Sequence, residues 1–204
     1  VGVGREQAAE HHRDRRLESG DGRRSRLALV GHGIAAPDGS WNDYKGLDVR
    51  GKLLLMLVGD RHQGRAMPSR CEPENYYGRW TYKFEEARRQ GAAGVLLIHT
   101  DSSAGYGWAV VRAGWTQERF HRTGTGQQGM MQGWITETAA GRLVGLAGQD
   151  FRTLLAGADD LGFRPVALPI RAKGTLRSTV RSLEQWNVAG ILPGIDPEQR
   201  HELR

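Results

Sequence analysis

A chain of 204 residues is long enough to bury a core, and fits one domain or one domain with a tail and part of another. Its formal net charge of +6 raises nucleic-acid binding, but the basic residues are scattered among acids, as in Glu85, Glu86, Arg88 and Arg89, which is the pattern of a mixed solvated surface. The single cysteine, Cys71, excludes an internal disulfide, and no apolar run approaches the roughly 18 residues of a membrane-spanning helix.

The first 26 residues carry almost no large apolar side chains and read as a polar leader without a docking face. The chain starts at Val1 without a methionine or a signal-peptide pattern, as expected of a piece cut from something longer. From Leu27 the composition changes. Leu27-Ala28-Leu29-Val30 predicts a short strand closed by Gly31-His32-Gly33, and Pro37-Asp38-Gly39 a turn. The run from Leu53 to Val58 predicts a strand buried on both faces.

Residues 60–77 read as a long polar loop. Beyond Arg79, Trp80, Phe84 and Ala87 fall on one face of a helix, and Gly91 suits its C-terminal left-handed position. Val95 to Ile98 predicts a second buried strand, so strand, helix and strand imply a right-handed parallel crossover. Residues 124–133 read as a glycine-rich mobile loop. Thr136 is placed to cap a second helix running through Ala147, and Asp150 a third through Leu155. Val166, Leu168, Ile170 and Ala172 alternate as in a half-buried strand, and Val188 to Leu192 form a last apolar strand.

Few residues suggest chemistry. His99-Thr100-Asp101 lies at the C-terminal end of a predicted buried strand, where α/β proteins place ligands, but zinc catalysis needs a third ligand and an activated water. No matching ligands follow, so capping or loop roles are expected. Asp60-Arg61-His62 and His11-His12 make weaker cases still. Gly31-His32-Gly33 fits neither a Walker nor a dinucleotide fingerprint, and no nucleophile elbow is present. Tyr106, Trp108 and Trp115 stand together in the loop read after the second buried strand. Aromatic residues there are as consistent with contact to a partner as with local packing, which makes these three the candidate interaction surface.

Two segments, DYKGLDVRGKLLLMLVG and YYGRWTYKFEEARRQGAAGVLLIHT, resemble the protease-associated (PA) domain of M28-type zinc aminopeptidases. The shared marks are G-x-D-V-x-G-K at Gly46 to Lys52, and A-x-x-x-G-A-x-G at Ala87 to Gly94. AGYGWAVV, QGWITETAAGRL and NVAGILPGIDPE extend the resemblance across roughly residues 27–198. It implies an α/β fold of the swivelling β/β/α PA type, with a mixed sheet and two or three helices. The implied organisation is a leader over 1–26, a PA domain over 27–184 and the start of a peptidase domain over 185–204. The first zinc-binding H-x-D of the family falls past Arg204, and His201 does not match it. No catalytic or metal residue is therefore expected in this chain, and no cofactor. Zinc is expected in the parent peptidase domain. The implied partners are that domain and a peptide or protein substrate, with neither nucleic acid nor a membrane span involved. A secreted or periplasmic parent follows from the resemblance alone. The alternative is a stand-alone PA-type module that binds peptides or proteins.

Overall fold

The computed structural model describes residues 15–19, 24–59, 76–117, 130–160, 162–173, 176–180, 183–184 and 186. Residues 18–176 form one compact unit, and the segments 1–17 and 177–204 group apart from it.

Seven strands and five helical segments occur among the described residues: β1 Arg15–Ser19, β2 Ser25–Leu29, β3 Leu53–Leu57, α1 Trp80–Arg89, β4 Gly94–His99, α2 Asp101–Ala104, α3 Trp108–Trp115, β5 Met131–Thr136, α4 Glu137–Leu146, α5 Phe151–Gly157, β6 Val166–Ala172 and β7 Leu176–Val180. Five of these strands make a mixed sheet in the order β5-β4-β3-β2-β6. β2, β3, β4 and β5 run parallel, and β6 joins β2 antiparallel. β1 and β7 pair in a separate two-stranded ladder. The class is α/β, as the sequence predicts, with more helical segments than the two or three expected.

The central strands lack polar alternation because both of their faces are covered. Leu53, Leu55 and Leu57 enter one apolar cluster, with Leu27, Leu29 and Ile98. The intervening Leu54 and Met56 enter another, with Ala28, Val30, Val95 and Leu97. Side chains alternate sides along a strand, so a continuous apolar run serves two layers. The first cluster takes Ala140 and Val144 from α4 and Phe151 from α5. The second takes Phe84 and Ala87 from α1, with Trp115 from α3 packed against it.

β6 lies at an end of the sheet order and carries Pro169. Proline has no N–H for a ladder and is tolerated at a sheet edge. α4 starts where Thr136 Oγ1 accepts a hydrogen bond from Ala139 N, and α5 where Asp150 Oδ1 accepts from Thr153 N. Both caps agree with the sequence reading.

Three expectations meet a different backbone. Arg15–Ser19, inside the expected leader, form a strand, and β2 begins at Ser25. Met131 to Gly133, read as part of a glycine-rich loop, are already strand β5. Of the three aromatic residues read as lying in a loop, Trp108 and Trp115 belong to helix α3, while Tyr106 stands in the short link between α2 and α3. The expected last strand, Val188 to Leu192, lies outside the described residues.

Candidate functional site: the C-terminal rim of the parallel strands

Four parallel strands end along one rim of the sheet. A loop leaves each strand there, and backbone groups past the last ladder bond are open to side chains and ligands. Two histidines stand on this rim, His32 after β2 and His99 at the end of β4.

The chain turns at His32 between Gly31 and Gly33, whose φ angles are 56° and 64°, a region that favours glycine. The turn drives the His32 ring inward, to 3% exposure. Its Nδ1 lies 3.3 Å from Gly59 O and its Nε2 2.9 Å from Asp159 Oδ1. Lys83, fully buried on α1, donates from Nζ to His32 O at 2.6 Å and to Tyr77 O at 3.2 Å. Asp43, also buried, accepts from Ile34 N at 3.1 Å and from Trp41 Nε1 at 2.6 Å. Buried charges persist only when hydrogen-bonded in this way. This network fixes the β2–β3 connection to α1 and to the end of α5.

His99 has different surroundings. Its side chain is 2% exposed, and Nδ1 lies 3.7 Å from Asp101 Oδ1, too far for a hydrogen bond. Three rings enclose it, with centroids at 5.5 Å for Tyr106, 5.7 Å for Trp108 and 6.4 Å for Trp134. Neither His99 Nε2 nor Trp134 Nε1, both buried, has a hydrogen-bond partner among the described residues. Partial burial pushes the Tyr106 phenol above its usual pKa.

The three aromatic residues singled out in the sequence thus divide. Tyr106, 37% exposed, and half-buried Trp108 cover His99. Trp115 turns inward, its ring centroid 5.8 Å from Trp80, 5.9 Å from Phe84 and 6.0 Å from Trp134. The bare face of α3 is carried by Val110, 57% exposed.

His99 and Asp101 are brought to the rim, but no third ligand joins them. Among the described residues no group of three His, Cys, Asp or Glu side chains is placed to hold a metal ion. The hydroxyls of Thr100 and Ser102 bond each other at 3.1 Å. No helix among the described residues is long and apolar enough to cross a membrane. His11, His12, Asp60, His62, Cys71, residues 124–129 and His201 lie outside the described residues.

Sequence reasoning passed over Lys83, Trp134 and Asp159. Lys83 is flanked by Tyr82 and Phe84, but a lysine is rarely fully buried and so reads as a surface residue. Trp134 has one, since a tryptophan two residues before a strand end shares that end's face. Asp159 meets His32 across 127 residues of chain, a pairing that local pattern does not carry.

No protein-family model, curated protein or solved structure matches the chain.

Proposed function

We propose that this chain is a non-catalytic PA module of a zinc-dependent, M28-like aminopeptidase, bordering the peptidase active site and shaping substrate access or holding protein partners. The observation that carries the reading is the contact between the two motif segments. Ala93 N, from A-x-x-x-G-A-x-G, donates to Lys52 O, from G-x-D-V-x-G-K, at 2.9 Å. Strands β3 and β4 follow at once and pair from Leu53 and Gly94 onward. Motif glycines therefore have a structural task, setting the register of two central strands.

Purified chain, dialysed against zinc and offered aminoacyl p-nitroanilides, is expected neither to retain stoichiometric zinc nor to release p-nitroaniline. One zinc per chain together with turnover would make the chain an enzyme and overturn the reading.

A further inference from the structure

The His99 box holds two buried nitrogens with no hydrogen-bond partner among the described residues, His99 Nε2 and Trp134 Nε1. An unpaired buried polar group costs about 1–3 kcal/mol, so native interiors carry few of them. Here two stand together. Leu97 pairs with Trp134 in the β4–β5 ladder and His99 with Thr136, which puts His99 and Trp134 on the same sheet face. Their rings are 6.4 Å apart, within the span of one small molecule, at the rim where parallel sheets place ligands.

Indole Nε1 only donates a hydrogen bond, and an imidazole Nε2 donates whenever it carries a proton. With the proton on Nε2, both orphans serve one kind of ligand atom, an oxygen acceptor. The remaining walls, Tyr106 and Trp108, are aromatic and suit an apolar group next to that oxygen.

Access lies through Tyr106. It sits between Gly105, at φ 73°, and Gly107, and a Cβ built on either glycine meets no atom within 4 Å. The backbone on both sides of the ring is free of packing, and Tyr106 is the most exposed of the four rings in the box.

We propose that His99 Nε2 and Trp134 Nε1 form a binding site for a carbonyl or carboxylate oxygen carried beside an apolar or aromatic group, with Tyr106 as its lid. The site stands whether or not the chain belongs to a peptidase, because it rests on the unpaired nitrogens alone.

The test is a titration of the chain with N-acetyl-phenylalanine and, separately, with N-acetyl-phenylalanine amide. Side-chain ¹H–¹⁵N NMR follows the Trp134 indole and the His99 ring. Saturable shifts of both signals are expected. A response to the acid alone identifies a carboxylate, and a response to both identifies a neutral carbonyl. Trp134→Phe keeps an aromatic ring and removes the N–H, and is expected to weaken binding about tenfold. Tyr106→Ala is expected to speed exchange between free and bound signals. Unmoved signals with both probes at tens of millimolar would overturn the proposal. So would a Trp134→Phe variant that binds as the parent does.

Discussion

Gly51 donates its backbone N–H to Gly91 O at 2.9 Å, joining the turn before β3 to the turn after α1. Both glycines have positive φ, 68° and 77°, and Arg50 Cγ lies 2.9 Å from where a Gly91 Cβ would stand. The turns that launch two adjacent parallel strands are tied to each other before either strand begins.

Glycines in this region are required for two different reasons, and substitution separates them. A Cβ on Gly51 meets nothing within 4 Å, so Gly51→Ala bears only the left-handed backbone penalty, about 1 kcal/mol. Gly94 has no positive φ, but its Cβ would stand 2.9 Å from Leu53 Cδ1, Met131 Cβ and Met131 O. β4 passes there between β3 and β5 with no space for a methyl group. Gly94→Ala is expected to cost about 3 kcal/mol by overpacking. Urea unfolding measures both, and a Gly51→Ala variant less stable than Gly94→Ala would contradict the packing argument.

Lys83 presents a buried ammonium to the carbonyls of His32 and Tyr77. Lys83→Met keeps the length of the stem and removes those bonds. A loss of about 2 kcal/mol or more is expected, since hydrogen bonds to a charged group are the stronger kind. Chemical denaturation gives the value, and an unchanged midpoint would show that the network contributes no net stability.

The helix caps predict a response to acid. Hydrogen bonds from Thr153, from its side chain first and its backbone second, hold the Asp150 carboxyl below its usual pKa. A depressed folded pKa contributes stability above the unfolded value near 3.9, and that contribution is lost as pH falls through the folded pKa. Asp150→Asn preserves capping and is expected to flatten the acid limb of the melting-temperature profile while leaving the neutral value nearly unchanged. Thr136→Ala, by contrast, removes the α4 cap at every pH, at about 1 kcal/mol.

What the sequence made legible follows the range of the interactions. The buried strands β2, β3 and β4 announced themselves as apolar runs, and Thr136 and Asp150 as caps, because those signals span a few residues. α3 was hidden for a local reason. Its N-cap, Gly107, offers no side chain to the helix, and Gly105, Gly107 and Gly114 give WAVVRAGW the look of a loop. The apolar stripe of α1 was visible in Trp80, Phe84 and Ala87, yet Lys83 and Glu86 on the same helix are also buried. Glu86 accepts from Arg89 and Gln90 one turn on, a spacing open to sequence reading, whereas Lys83 bonds the backbone carbonyls of His32 and Tyr77, which sequence does not display. His99 drew attention as half of a metal pair. The rings around it and the unpaired Trp134 nitrogen exist only once β4, β5 and α3 are assembled.

The reading of the chain as a PA module is tested most directly by the coding sequence on both sides of it. An in-frame His-x-Asp shortly past Arg204, followed by acidic zinc ligands, is the expected result and would assign catalysis to the adjoining domain. A stop codon after Arg204, or an open frame without such ligands, would contradict the peptidase assignment and leave a free-standing binding module.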